Sequence, residues 1–155
     1  MLKRAVVALL LIALAPSAAR AMAPQDLRSW RGTPKKQMQR FWSEQKPTYG
    51  FGYAGEMAVG ALEQDAAKQF RFEFLGYREY LVKGICDGDC DDVDIYVYDR
   101  CDNLVDNDTL PDADPMVSLG PGVDGSHKIR VTMPACRVEP CYYAVQVFQR
   151  ARTDR

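Results

Sequence analysis

The chain has 155 residues, and its 20 lysines and arginines against 21 aspartates and glutamates leave a formal net charge of −1. This length is typical of one domain with a self-sufficient hydrophobic core. Because acidic residues outnumber basic ones, the composition argues against a nucleic-acid partner, which usually requires a basic face.

The N-terminus has the three parts of a secretory signal peptide. Lys3 and Arg4 form a positive start, residues 5–15 are apolar, and Ala19 and Ala21 supply the small side chains that signal peptidase requires. A membrane anchor is the weaker interpretation, because a spanning helix needs roughly 20 apolar residues. We therefore predict cleavage after Ala21 and a periplasmic or secreted protein.

Removal of the predicted signal peptide, residues 1–21, takes away three basic and no acidic residues, and so lowers the formal charge to −4. No later segment is long and apolar enough to predict a membrane span. The remaining charge is unevenly placed, since residues 87–124 contain twelve aspartates, one arginine and no other charged residue. The acidity of the chain is therefore expected in one set of loops.

Residues 22–55 are predicted to form a helical N-terminal segment that ends in a linker. One short helix is predicted over residues 26–30. A second is predicted from Lys35 to Gln45, because Thr33 is a favourable N-cap and Pro34 suits the first helical position.

The second predicted helix carries an apolar stripe of Met38, Phe41 and Trp42, whose spacing places them on one helix face. We expect this stripe to dock on the domain that follows. Its presentation to another protein is the alternative. Residues 47–55, which are rich in glycine and aromatic residues, predict a linker between this helix and the domain.

From residue 56 onward, the hydrophobic pattern has the period of two that is typical of half-buried strands. Phe70, Phe72 and Phe74 form its clearest apolar face and are predicted to face the core. The predicted strands lie within residues 57–61, 70–74, 79–86, 92–98, 115–119, 129–133 and 142–148. Because turns rather than long helices separate them, we expect a mainly β protein, an antiparallel β-sandwich or jelly roll over residues 56–150 with a tail at 151–155.

Five cysteines follow the predicted signal peptide, and an exported protein is expected to pair its cysteines. The short spacings favour two local disulfides, Cys86 with Cys90 and Cys136 with Cys141, and leave Cys101 as a free thiol. Other pairings stay open at this point. A zinc site is a further alternative, although an oxidising compartment favours disulfides.

Several motifs between residues 59 and 148 resemble the bacterial pre-peptidase C-terminal domain, a β-sandwich that is often appended to secreted proteases. The run D-x-D-I-Y-V-Y-D is similar to that family's D-x-D-L-Y-V-Y strand, and G-S-H-K-I-R-V and Y-A-V-Q-V are similar to two later strands. These motifs, together with Gly-Ile-Cys before the acidic turn, occupy residues 84–86, 92–99, 125–131 and 143–147. The resemblance implies a β-sandwich but no particular function, because one fold can carry many functions.

The cysteine-containing segments at residues 86–94 and 139–143 are similar, more closely, to a set of stand-alone exported proteins that are mostly uncharacterised. Two residues depart from the family pattern. His127 stands where a tyrosine is usual, and Cys101 stands where a glycine usually follows the acidic strand. The second departure implies that Cys101 is the unpaired thiol.

No pattern in the sequence indicates a catalytic site. The one histidine, His127, falls in a predicted strand, and the spacing does not support a Cys–His pair with Cys101. The sequence also lacks an H-E-x-x-H zinc helix and a glycine-rich phosphate loop. We therefore predict that the protein has no catalytic residues and is not an enzyme.

Calcium is the one cofactor for which the sequence offers candidate ligands, namely Asp87, Asp89, Asp91 and Asp92. The run begins like an EF-hand loop, but Asp92 occupies the sixth position, where glycine is required, and Tyr98 occupies the twelfth, where glutamate is required. A different calcium geometry would add aspartates of the next loop, at positions 106, 108 or 112. We favour ordinary turn chemistry without a cofactor.

The patterns together predict an exported, non-catalytic β-sandwich module that binds a protein or a cell-envelope component. The candidate contacts are the acidic loops and the strand face that carries Tyr96 and Tyr98. The alternative is a structural domain whose aspartate-rich loops are stabilised by calcium.

Overall fold

The structure is a computed structural model that describes residues 33–44 and 50–151. A helix, α1, spans residues 33–44. Eight strands follow: β1 (Gly52–Leu62), β2 (Ala67–Phe74), β3 (Arg78–Cys86), β4 (Cys90–Tyr98), β5 (Leu104–Asp108), β6 (Met116–Leu119), β7 (Gly125–Cys136) and β8 (Cys141–Ala151). The predicted signal peptide and the predicted helix over residues 26–30 lie outside the described residues.

The strands form two four-stranded antiparallel sheets, with the orders β1-β8-β3-β6 and β2-β7-β4-β5. The predicted β-sandwich with a short N-terminal helix is therefore confirmed. β5 and β6 are the last strands of the two orders and contact each other. They lie together along one edge of the sandwich, and the chain passes between the sheets there.

The core lies between the two sheets and is built from alternate residues of the strands. In β4, Val93, Ile95 and Val97 are buried, as their alternation indicates. In β2, Phe74 is fully buried, whereas Phe70 and Phe72 pack against the core from a partly buried position. The predicted apolar face of β2 thus faces the core, but its burial increases toward the end of the strand.

The apolar stripe of α1 packs on the outer face of the first sheet. Met38 is fully buried in a cluster with Ile85, Ala144 and Phe148. The ring of Phe41 lies 5.9 Å from that of Phe148. The helix therefore docks on the domain, and its stripe is not presented to another protein.

The predicted linker is wrong over its last four residues, because β1 already begins at Gly52. Gly52 pairs with Gln149 and Ala54 with Val147 of the central strand β8. The register then shifts before Ala58, and Gly55 adopts a φ of 74° at this bulge. Pairing with a central strand overrides the turn signal of the glycines, one of which permits the bulge.

The expectation that residues 99–114 are only loops is also wrong, because β5 lies within them. Aspartate and asparagine are unfavourable in strands, and three of the five residues of β5 are of these types. The strand forms through its pairing with β4, where Ile95 lies opposite Asp108 and Tyr96 opposite Asn107. This pairing depends on tertiary structure and has no local sequence signal.

The two predicted disulfides are present, Cys86 with Cys90 and Cys136 with Cys141. Each bridge closes a turn in which the chain crosses from one sheet to the other, and Cys90 lies opposite Cys136 in the β4–β7 pairing. Both bridges therefore connect the two sheets at the same end of the sandwich. Cys101 is exposed and forms no disulfide.

Among the described residues, no helix is long and apolar enough to cross a membrane.

Candidate functional site

Tyr96 and Tyr98 project from the outer face of β4, on the side opposite the buried valines. Their rings are stacked, with centroids 6.2 Å apart and planes inclined by 19°. The two side chains are partly buried, so each keeps an accessible surface while its neighbours restrict its rotation. This arrangement gives a rigid pair of aromatic rings with low conformational entropy, a common feature of binding surfaces.

The orientation of Tyr96 is fixed by a hydrogen bond from its hydroxyl group to Asp94 Oδ2, at 3.2 Å. Thr132 Oγ1 donates to the same oxygen at 3.0 Å. Desolvation, followed by the nearby charge of Asp94, raises the pKa of Tyr96 above its ordinary value. Tyr96 is therefore a neutral hydrogen-bond donor at physiological pH.

The strand on one side of the tyrosines is basic. In the β4–β7 pairing, Arg130 lies opposite Tyr96 and Lys128 opposite Tyr98. The Lys128 ammonium group lies 5.0 Å from the centre of the Tyr98 ring and also forms an ion pair with Asp102. We call Tyr96, Tyr98, Lys128 and Arg130 the tyrosine face.

On its other side, the tyrosine face continues directly into β5. Leu104 lies opposite Tyr98, and Asn107 lies opposite Tyr96. Opposite residues in an antiparallel pair share one face of the sheet, so Leu104 extends the surface of Tyr98. The two contacts predicted separately from the sequence, the tyrosine pair and the acidic loops, are thus neighbours in the fold.

The edge next to the tyrosine face is unusually apolar for an exposed surface. We call β5, residues 109–115 and β6 the open edge, because both sheets end there. Four of its large apolar side chains are exposed to solvent: Leu104 by 51%, Val105 by 39%, Leu110 by 63% and Met116 by 45%. Exposed apolar side chains gathered in one region are typical of interaction sites.

The open edge is also acidic. Its residues 104–119 contain four aspartates and no lysine, arginine, glutamate or histidine. One of the four, Asp114, forms an ion pair with Lys83 of β3. The remaining aspartates of the open edge, Asp106, Asp108 and Asp112, have no ion pair among the residues that the structure describes, which leaves a negative potential there.

The carboxyl groups proposed as calcium ligands are directed to different partners. Asp91 forms an ion pair with Arg137, and Asp87 is buried, with its Oδ2 accepting a hydrogen bond from the Tyr142 N–H at 3.1 Å. Desolvation raises the pKa of Asp87 and that of Asp92. Over residues 33–44 and 50–151, no three acidic, histidine or cysteine side chains are grouped closely enough to hold a metal ion.

Cys101 and His127 line the same open cleft at one end of the sandwich, together with Asp99. His127 is nearly fully buried, its ring packs edge-on against Phe74, and its Nδ1 lies 2.9 Å from the Gly125 carbonyl oxygen. A carbonyl can only accept, so Nδ1 carries the proton. A Cys–His nucleophile requires a hydrogen bond between the two side chains. Within the described part of the chain, no hydrogen bond joins His127 to the Cys101 thiol.

The sequence did not identify Leu104, Val105, Leu110 and Met116 as surface residues of the site. Isolated apolar residues in an aspartate-rich segment have no period that indicates a strand. The one available signal was composition, since four large apolar side chains occur where loop residues are usually polar.

No family model matches the sequence, and no curated protein matches it significantly.

Proposed function

We propose that the protein is an exported, non-catalytic β-sandwich module that binds a protein or a cell-envelope component through the tyrosine face and the open edge. The observation that carries this proposal is the continuity of the two surfaces, in which the stacked tyrosines pass directly into exposed Leu104. Rigid aromatic side chains beside apolar ones are typical of the centres of binding interfaces.

The shape of this surface favours a macromolecular partner. Tyr96 and Tyr98 lie on the outer face of a sheet, whereas small molecules are usually bound in concave sites. The surface also extends from β7 across β4 and β5 to the sheet margin. A partner that contacts all of it must itself be extended or large.

The proposed export is supported by the sequence of residues 1–21 and by the two disulfides. Disulfides persist in oxidising compartments and are rare in the cytosol. The binding partner is therefore sought in the cell envelope or outside the cell.

The proposal predicts that Tyr98→Ala weakens capture of the partner from a cell-envelope extract. Immobilised mature protein is exposed to the extract, and the bound material is quantified at several extract dilutions. Truncation of a central aromatic residue should reduce apparent affinity by about tenfold or more. An extract treated with protease distinguishes a protein partner, whose capture is lost, from another envelope component, whose capture persists.

Tyr77→Ala is the matched control, because Tyr77 is an exposed tyrosine in the turn between β2 and β3, away from the tyrosine face. This variant should capture as much material as the unmodified protein. Equal capture by the Tyr98→Ala variant and the control would show that the tyrosine face is not the contact.

A calcium-stabilised structural domain is the second candidate, favoured by the environment of Asp92. Its Oδ1 is buried without a hydrogen-bond partner. Desolvation, and then repulsion from Asp94 and Asp112, raise the pKa of Asp92. A bound cation would relieve this repulsion.

Asp92→Asn separates the two candidates. A raised pKa in the folded state means that stability falls as the pH rises through that pKa, so the charged Asp92 destabilises the fold at neutral pH. Without calcium binding, Asp92→Asn should increase stability at pH 7 by less than about 1 kcal/mol, because the group is partly solvated. Added Ca²⁺ should then have no more effect than NaCl of equal ionic strength.

Thermal unfolding at pH 4 and pH 7, with calcium or chelator, measures both effects. On acidification, the unmodified protein should gain stability relative to the Asp92→Asn variant, because only the unmodified protein has the carboxyl group whose pKa is raised in the folded state. If instead millimolar Ca²⁺ specifically stabilises the unmodified protein and the variant loses that increment, the calcium-stabilised domain is the correct assignment.

A further inference from the structure

We infer that the partner contacts this protein with an extended, lysine- or arginine-containing segment that adds a strand beside β5. This inference rests on the proposed function and specifies the form of the partner. It follows from the backbone of β5, from the side chains that flank it and from the placement of its charges.

The backbone of β5 is available for pairing along its outer side. β5 pairs with β4 on one side, and no described strand pairs with it on the other. The N–H of Asn107 donates to Asp106 Oδ1 at 2.9 Å, an exposed hydrogen bond within the strand itself. An N–H has one hydrogen, so this donor is directed away from β4, and an incoming carbonyl could replace the carboxylate.

The side chains around β5 provide two surfaces for such a strand. On the outer side, Leu104 and Asn107 of β5 would contact every second residue of the added strand, and Leu104 would lie between that strand and Tyr98. On the inner side, Asp106 lies opposite Val97 and Asp108 opposite Ile95, so both side chains leave β5 on the side of the core. There Asp108 Oδ2 accepts a hydrogen bond from the Met116 N–H of β6 at 2.8 Å, and Asp106 Oδ1 accepts from the Asn107 N–H. An added strand would therefore place its other residues beside two negative charges.

The inner carboxylates decide which strands can pair. Charges on the inner side of an edge strand oppose indiscriminate strand addition, because an apolar strand would desolvate them without compensation. A second copy of β5 would bring Asp106 and Asp108 against the same residues, and like charges repel. A strand with lysine or arginine at its inner positions compensates them, so the edge selects a basic partner.

The opposite edge of the same sheet has the reverse character. β2 carries Lys68, Arg71 and Glu73 at exposed positions, which leaves a net positive charge, and it contains no exposed large apolar side chain. It therefore has neither the negative charge nor the exposed apolar side chains that favour a basic strand at β5. The two edges of this sheet therefore differ in charge, and a basic segment is expected to bind at β5 rather than at β2.

The test uses a fluorescently labelled peptide of alternating lysine and valine and the complete mature protein, with binding followed by fluorescence anisotropy. We expect saturable binding that weakens by about tenfold or more when glutamate replaces lysine, or when the interior backbone nitrogens of the peptide are methylated. Methylation keeps the charge but removes the N–H donors. Equal binding of the methylated peptide would overturn the inference, since charge alone would then explain the affinity.

Asn107→Pro tests the same contact from the protein side. Proline removes the outward N–H and is tolerated on edge strands, so the variant should unfold at nearly the same temperature and bind the peptide about tenfold more weakly. Asn107→Ala, which keeps the N–H, is the control and should bind nearly as well as the unmodified protein. Unchanged binding by a folded Asn107→Pro variant would contradict strand addition.

Competition separates this inference from the proposed function. The lysine–valine peptide should displace the partner captured from envelope extract, and the methylated peptide should not. If capture depends on Tyr98 but the peptide does not compete, the proposed function stands and strand addition is wrong. If capture is independent of Tyr98, the proposed function itself is wrong.

Discussion

Replacement of Phe74 with alanine is expected to lower the free energy of unfolding by about 3–5 kcal/mol, the usual range for a buried phenylalanine. Phe74 is fully buried at the end of β2. Its ring centre lies 4.7 Å from that of Tyr80, 4.8 Å from Phe72 and 5.2 Å from His127. Truncation would remove these aromatic contacts and leave a cavity between the two sheets.

Urea unfolding followed by circular dichroism measures this loss under conditions that keep the disulfides intact. Leu75→Ala is the control, because Leu75 is the next residue along the chain and is 40% exposed. It should cost less than about 0.5 kcal/mol. A loss below about 1 kcal/mol for Phe74→Ala would show that this aromatic cluster is not a tightly packed part of the core.

Replacement of Met38 with alanine is expected to weaken the packing of α1 on the domain by about 2–5 kcal/mol. Met38 is fully buried against Ile85, Ala144 and Phe148, which lie on the outer face of the first sheet. A single helix of this length is unstable alone in water. Loss of its main apolar contact should therefore release and unfold α1 while the sandwich stays folded.

Amide hydrogen exchange distinguishes this local effect from global destabilisation. The Met38→Ala variant should lose protection in residues 33–44 and keep it in β4 and β7. Lys36→Ala, on the exposed side of α1, is the control and should leave both regions protected. Retained protection of α1 in the Met38→Ala variant would contradict docking through the methionine.

The site and the fold place different demands on the same strand. In β4, Val93, Ile95 and Val97 supply the core, while Tyr96 and Tyr98 are available for binding because alternate side chains point to opposite faces. Substitution of either tyrosine should therefore affect binding more than stability. The proposed contact can be tested without unfolding the domain.

The sequence by itself determined the features that depend on local pattern. Alternation over residues 92–98 predicted which side of β4 is buried, and the spacing of Met38, Phe41 and Trp42 predicted the docking face of α1. The short spacings within the two cysteine pairs favoured the disulfides that the structure contains. Each of these predictions rests on residues that are close in the chain.

Tertiary structure alone decided the features that depend on distant pairing. β5 has a composition unfavourable for a strand and forms because β4 offers it a partner, and the start of β1 at Gly52 depends likewise on β8. Neither pairing leaves a local periodic signal. The open edge and its contact with Tyr98 follow from strand order, which brings together residues that no spacing along the chain connects.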